Sequence, residues 1–593
     1  MRTLKFITGL FLLSALLFAQ QAPNSNPAGT GPDDPGAGGP ADAPGRAVAR
    51  ISVLSGDASV RHGDAGDWMA TVLNAPLMAG DTLSVAPGAT VELQMDAANF
   101  ARIAGDSEVR IADLENGHFQ FQLSKGMVTY RTLRQSNAQG EVDTQLIAVR
   151  PVGMSSVRVE VAPDKSSRVT VHHGGVQVYT PKGTEDVREG NSMVVRGSAD
   201  DPEFQVNAAA APDAWDTWND QRDTYLLRSQ SPAYVSQDVT GAEDLDNYGR
   251  WSNDPAYGQV WTPNVPATWA PYRNGEWVWN DYYGWTWVDY DPWGWAPFHY
   301  GSWYFRTGFG WSWFPGPRFG HYWYHPALVG FFGFGGGGFG IGFGFGNVGW
   351  IPLAPFERFR PWYGGGRALG FASINIVRNV SITNVYRNAR FANGVTAVSA
   401  GDFQRGNFRN TVAVDRGQLA QASMVRGGVP MSPTASNRAF ANRAAVTAGP
   451  RVTGGAGQQR FFTAAGARSA PVGGGASNWQ RFGSGGGSYN GARSLQVTPP
   501  IVRQRQGGTG YSAPANAYRG GAPQGSPSYR SAPQAAPQYR SAPQQAPSYR
   551  SAPQQAPAQR SAPAPRSAPA PAPRSGGSGG GHSSGGGHGG GRR

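Results

Sequence analysis

The sequence predicts a mostly β protein: a β-sandwich or β-roll domain, one short helix, a Trp-rich array of β-hairpins and a long disordered C-terminal tail. Three observations predict it. Between residues 47 and 198, apolar and polar residues alternate with a period of two. Between residues 240 and 363, a 26-residue unit recurs with tryptophans at fixed places. From residue 406 to 593 the chain is dominated by Arg, Pro, Ser and Gly.

The alternation is clear at Val91-Glu92-Leu93-Gln94-Met95, Phe119-Gln120-Phe121-Gln122-Leu123 and Val157-Arg158-Val159-Glu160-Val161. Val169-Thr170-Val171 and Val176-Gln177-Val178 read as shorter strands. Successive side chains of a strand face opposite ways, so such runs make half-buried antiparallel sheet. Turn signals divide them: Gly80-Asp81, Gly105-Asp106, Asn116-Gly117, Gly174-Gly175 and Glu189-Gly190. Roughly 150 residues suffice for one such core.

Within this segment stand Val53-Leu54-Ser55-Gly56-Asp57-Ala58, Trp68, Pro76-Leu77-Met78-Ala79-Gly80-Asp81-Thr82-Leu83 and Ala89-Thr90-Val91-Glu92-Leu93. On these residues the segment resembles a FecR-type domain, in which they open the β domain and lead to a stretch like Val176–Gly190. One departure matters. The family's Thr-Pro segment with a later Gly-Thr is replaced by Arg150-Pro151-Val152-Gly153 and Ser155-Ser156. The resemblance therefore does not imply signalling through an anti-sigma partner. That role also uses a cytoplasmic N-terminal segment and a membrane helix, and neither is expected here.

Residues 212–230 read as a linking helix. Pro212 stands at its start, and Trp215, Trp218, Tyr225 and Leu226 supply a broad apolar face. Arg222 and Asp223 read as solvated or linking charges.

The Trp-rich segment holds 15 of the 19 tryptophans, between Trp251 and Trp362. Gly249-Arg250-Trp251, Gly275-Glu276-Trp277 and Gly301-Ser302-Trp303 are 26 apart, and so are Trp261, Trp287 and Trp313. Three copies run from about Tyr248 to His325. In each, Trp-x-Trp spacing places indoles on one strand face, as at Trp277 and Trp279 or Trp285 and Trp287. Asp281-Tyr282-Tyr283-Gly284 supplies a turn, so each unit predicts a β-hairpin held by cross-strand aromatic pairs.

This region also resembles the Trp/Tyr/Gly-rich part of FecR-domain envelope proteins. The resemblance rests on Trp218 with Arg222-Asp223, Tyr234-Val235-Ser236 and Gly241 to Trp251. It continues through Gly284 to Trp287, Asp291 to Pro297, Gly349 to Pro355 and Asn384 to Asn388. It implies an architecture and an exported location, and no activity. Residues 364–405 contain a short β-prone segment, Ile374-Asn375-Ile376-Val377 with Val380, Ile382 and Val385, docked on the preceding region.

At the N terminus, residues 1–19 read as a cleaved signal peptide. Arg2 and Lys5 precede an apolar run, Phe6 to Phe18, too short to span a bilayer, with cleavage expected after Ala19. Residues 20–46 are a Gly/Pro linker. The expected location is therefore the periplasm, the outer membrane or the outside of the cell, with no transmembrane segment after cleavage. The chain has no cysteine, which excludes disulfides, a thiol nucleophile and a lipoprotein anchor.

Charge is divided. From Pro361 onward there are 26 arginines, no lysine and two carboxylates, Asp402 and Asp415, a net +24. Since the whole chain carries +12, residues 1–360 carry −12. Such asymmetry points to a polyanionic partner or to self-association. Near-decapeptide repeats place Arg530, Arg540, Arg550 and Arg560 in the tail as candidate polyanion contacts. Export disfavours nucleic acid and favours an anionic envelope polymer or glycan. A solvated spacer is the competing reading.

A glycan platform would use exposed indoles, with Trp277, Trp279, Trp285, Trp287, Trp303, Trp311 and Trp313 as candidates. The regular spacing favours a packing role for most of them. Asp289 and Asp291 could imitate a glycosidase acid pair, although carboxylates two apart are common in turns. His321 and His325, His172-His173, and His582 with His588 are weak metal candidates, since a structural site needs about four well-placed ligands. Gly335 to Gly338 precedes neither a helix nor Lys-Ser/Thr, so it is not a phosphate loop. No cofactor is expected. The sequence reads as a non-enzymatic exported scaffold or adhesion-like binding protein. The alternatives are a carbohydrate-binding module and a FecR-like signalling accessory. The oligomeric state is left open.

Overall fold

A computed structural model describes residues 47–447, apart from 64–65, 116, 337–344, 365–366, 369–374, 392, 428, 430 and 442, together with 461–463, 479–482 and 497–498. The expected signal peptide and linker and the tail arginines Arg530, Arg540, Arg550 and Arg560 lie outside the described residues.

The first region is built from one sheet of sixteen described strands. Its pivot is the fifteen-residue strand His118–Thr132. The first half pairs with Ser107–Asp113 and, in parallel, with Gln139–Asp143. The second half pairs with Asn99–Ile103 and Ala148–Val161. A strand that changes neighbours along its length folds the sheet over on itself, which is the expected roll. Alternation then puts one face inside: Val91, Leu93, Ile103, Val109, Phe121, Val128, Val157 and Val169 are all without exposed surface.

One turn assignment is corrected. Gly174-Gly175 does not separate two strands, because Ser167–Thr180 runs through both. Opposite it, the register in Ala148–Val161 slips between Val152 and Ser156. Gly174 has φ of +75°, and a Cβ there would come within 2.5 Å of the Met154 carbonyl. The feature is a bulge that lets two long strands bend together.

The linking helix runs from Ala214 to Arg228 and is capped by a reciprocal pair, Asp213 and Asp216. Its buried positions are Asp216, Asn219, Asp223 and Leu226. The broad apolar face expected from Trp215, Trp218, Tyr225 and Leu226 is thus corrected. Only Leu226 of the four is fully buried, and the inner stripe is polar.

All three repeats are hairpins: Gly249–Asp254 with Gly258–Pro263, Gly275–Asn280 with Gly284–Asp289, and Ser302–Arg306 with Gly310–Phe314. The turn glycines Gly258, Gly284 and Gly310, again 26 apart, all have positive φ, between 71° and 85°. Trp251 lies opposite Trp261, Trp277 opposite Trp287, and Trp303 opposite Trp313. The first and third hairpins join through Trp261 and Trp313 into one four-stranded sheet, whereas the second remains a two-stranded ribbon.

The second hairpin stands apart because it is buried on both faces. Trp277, Trp285 and Trp287 enter the aromatic core of the repeat region. Val278 and Val288, on the opposite face, join the core of the β domain. The two regions therefore share packing through one ribbon.

Beyond the repeats, a sheet of five described strands runs in the order 375–380, 422–426, 329–334, 347–352, 396–399. Its second member lies in the expected tail, so the boundary at 406 is corrected. Leu419, Met424, Val425, Val429 and Met431 are buried there. Farther on, Phe440, Phe461, Phe462 and Phe482 are also buried, with Phe440 and Phe482 entering the β-domain core.

Candidate functional site

The polar face of the rolled sheet is not left to solvent. Glu92, Arg102, Thr129 and Arg158 stand in register across four neighbouring strands. The linking helix lies on this row with its own polar stripe. The Arg102 Nε donates to Glu92 at 2.8 Å, and its Nη1 donates to the Asn219 carbonyl and side-chain oxygens at 3.0 and 3.1 Å. Its Nη2 meets Asp223 at 2.7 Å, and Arg131 holds the other oxygen of that carboxylate. Arg222 donates twice to Glu92 Oε1, at 3.0 and 2.9 Å. Trp215 Nε1 donates to Thr129 at 2.9 Å. At the helix start, Arg158 and His172 both reach Asp216.

The seam extends into the repeat region. A 3-10 turn at Ala242–Asn247 offers Glu243 to Arg134 at 3.7 Å and Asp244 to Arg50. Burial alone would push the Glu92 carboxyl up, but Arg222 and Arg102 more than offset it and hold it below the ordinary range. Glu243 has weaker cationic company, and burial leaves it raised. Arg222 and Asp223, read from sequence as solvated or linking charges, are linking charges inside a buried network. A buried ion pair of this kind is costly to break from one side, because the remaining charge is left buried without its partner. Beside it, a groove of about 350 Å³ is lined by Gln221, Thr224, Tyr225, Arg228, Ser229, Asp246 and Asn247.

The candidate glycan platform is corrected. Trp277, Trp285, Trp287, Trp303, Trp311 and Trp313 are between 0 and 4 % exposed. An indole can stack on a sugar only with a free face, and these faces are taken by other rings: Trp277 on Trp287 at 5.4 Å, Trp285 on Phe403 at 4.8 Å, Phe305 on Trp311 at 5.7 Å. Trp279 alone of the seven is half-buried, packed on Trp285, with its Nε1 donating to Asp281 at 3.1 Å. Among the described residues, the exposed aromatic side chains lie elsewhere, at Phe309, Phe319 and Trp323 and, less fully, at Tyr234, Tyr248, Tyr290 and Phe356.

Asp289 and Asp291 do meet, with Asp289 buried and Asp291 half-buried. Trp287 Nε1 donates to Asp289 at 2.9 Å, as does the Asp291 backbone N–H at 3.0 Å. Asn274 donates to the Asp291 carboxylate at 3.0 Å. From the β domain, Asn74 donates to the Asp291 carbonyl at 2.9 Å. Burial, reinforced by Asp291, pushes the Asp289 carboxyl well above the ordinary range. With Asp289 1 % exposed, the pair cannot flank a sugar; the backbone carbonyls of both residues, each accepting from Asn74, tie the second hairpin to the β domain.

His321 and His325 do not share a site. His321 is exposed beside Asp238, whereas His325 is buried with its Nδ1 at 2.7 Å from the Tyr363 hydroxyl. The partner of His325 is instead His299, whose Nδ1 lies 2.8 Å from the His325 carbonyl. Burial lowers His299 to about 3 and His325 to about 4. No sequence signal marked His299. His172 is held by Asp216 and His173 stands near Glu189. Among the described residues, no group of three or more His, Asp or Glu is arranged to hold a metal ion. No described helix is long and apolar enough to cross a membrane.

Residues 81–177 match the family model described as FecR protein, and residues 242–357 match a family of unknown function, DUF6600. Two crystal structures of a candidate anti-sigma factor from Parabacteroides distasonis, at 1.65 and 2.50 Å resolution, are similar to part of the chain. Each is 18 % identical, with TM-scores of 0.19 and 0.20, over 25 % of this chain and 64 % of theirs, which is under two thirds of their length. No curated protein matches.

Proposed function

We propose that this chain, in which a FecR domain is followed by a DUF6600 region, is a non-enzymatic scaffold of the bacterial cell envelope. One observation carries the reading: the second hairpin is buried between two cores, with Val278 and Val288 in one and Trp277 and Trp287 in the other. With the buried ionic seam, it joins two regions into a single body. Residues 1–360 carry −12 and residues 361–593 carry +24, with the folded region reaching into the latter through Ala422–Arg426. A folded body with an acidic first part and a basic extension suits multivalent, salt-sensitive holding of an anionic envelope polymer. Arg530, Arg540, Arg550 and Arg560 are the proposed contacts.

The test is retention of the protein on fractionated envelope material across a salt series, with the full chain and with a chain ending at residue 506. The full chain should be released steeply as salt rises, and the shortened chain should bind weakly. Salt-insensitive binding by the shortened chain would refute the reading.

A second reading, a FecR-like signalling accessory, is favoured by the family match over residues 81–177. Crosslinking in the native host should then trap a membrane protein on the FecR domain. The glycan reading retains only Trp279 of its seven tryptophans.

A further inference from the structure

The rolled sheet ends in the strand Pro202–Ala208. One side of it pairs with Asn191–Gly197. The other side is an edge, and an exposed edge invites pairing with another chain. Here a segment from far along the chain takes it. Gln480 pairs with Phe204 and Arg481 with Glu203, antiparallel. The side chains fit as well as the backbone. Phe482 packs on Phe204 with centroids 4.4 Å apart, and both rings are buried. The Arg196 guanidinium lies 3.7 Å from the Trp479 ring centroid. Arg481 lies 3.5 Å from Glu203 and 3.8 Å from Asp201.

These contacts define an acceptor with three recognition elements: a cation for an indole, an aromatic floor for a phenyl ring, and two carboxylates for a guanidinium. The strand that fits is Trp-x-Arg-Phe. We propose that the outer edge of Pro202–Ala208 is a strand-acceptor site for this sequence, and that between copies of the chain each molecule's Trp479–Phe482 segment occupies the edge of the other. Three observations support exchange between copies. Every copy carries both donor and acceptor. The donor follows Thr463 by fifteen residues, 464–478, a reach of up to ~50 Å when extended. Pairing covers only two of the seven edge residues and leaves Val206 42 % exposed, so the closed form is short and displaceable. Exchange of an identical element is a low-cost route to a closed dimer. At low concentration the tethered strand wins through its effective concentration; crowding of copies favours exchange.

A reciprocal charge swap tests this in the full chain. One variant carries Asp201→Arg with Glu203→Arg, the other Arg481→Glu. Each variant mismatches its own strand, whereas a mixed pair matches both exchanged strands. Sedimentation of the mixture should give a 1:1 dimer, held roughly tenfold or more tighter than either variant holds itself. Adding Trp479→Ala and Phe482→Ala to both chains should abolish the dimer, with circular dichroism unchanged. A mixture that stays monomeric overturns the proposal, and so does a dimer that survives loss of Trp479 and Phe482.

Discussion

Glu92 and Arg102 face each other across neighbouring strands at 2.8 Å, and neither side chain has any exposed surface. Arg222 from the linking helix closes on the same carboxylate. Replacing Glu92 by alanine would leave two guanidinium groups facing each other without their shared anion. Breaking a buried pair from one side costs about 3–5 kcal/mol. The midpoint of urea denaturation should fall accordingly, and Glu92→Gln should fall less. An unchanged midpoint would mean that the helix is held by its apolar contacts alone.

Much of the fold was legible because it follows from periodicity. Val91, Phe121 and Val157 marked strands, and the 26-residue spacing of Trp261, Trp287 and Trp313 marked three hairpins. The linking helix departs from the apolar face its sequence suggests because its burial is polar. Its inner stripe, Asp216, Asn219 and Asp223, is complementary to Arg158, Arg102 and Arg131 of the sheet, and pairing across 50 to 120 residues leaves no local signal. The folded region extends past residue 406 without a strong sequence signal for a related reason. Phe440, Phe461 and Phe462 are single anchors in a Gly- and Ala-rich stretch whose average composition conceals them.

The two buried imidazoles make a pH prediction. Burial lowers His299 to about 3 and His325 to about 4, whereas an unfolded histidine titrates near 6.5. The folded state therefore binds fewer protons than the unfolded state between those values. The stability contributed by keeping these two imidazoles neutral is full above about pH 6.5 and declines as pH falls toward 4. It runs against an opposite trend from buried carboxyls such as Glu276 and Asp289, whose burial raises them. His299→Gln should flatten that decline in thermal melts. A slope identical to the parent's would remove His299 as a contributor.

The aromatic core predicts a contrast between two tryptophans. Trp277 is 1 % exposed and contacts Trp287, Phe331 and Trp350. Trp277→Ala removes a large buried ring and should cost about 3–5 kcal/mol. Trp323 is 42 % exposed, and its alanine variant should stay within about 0.5 kcal/mol of the parent. Chemical denaturation of the two variants checks this; equal losses would contradict the assignment of Trp277 to the core.

Truncation distinguishes the folded part of the C-terminal region from the rest. A chain ending at 410 loses the strand Ala422–Arg426, which lies between Asn375–Val380 and Val329–Phe334. It also exposes the surfaces that Leu419, Val425 and Phe440 cover. Removing an internal strand leaves two edges without hydrogen-bond partners, so this chain should melt well below the parent or accumulate as aggregate. A chain ending at 506 keeps every described strand and should melt with the parent while losing the salt-sensitive binding proposed above. If the chain ending at 410 melted with the parent, the five-stranded sheet would not depend on Ala422–Arg426, and the region after 406 would contribute only its charge.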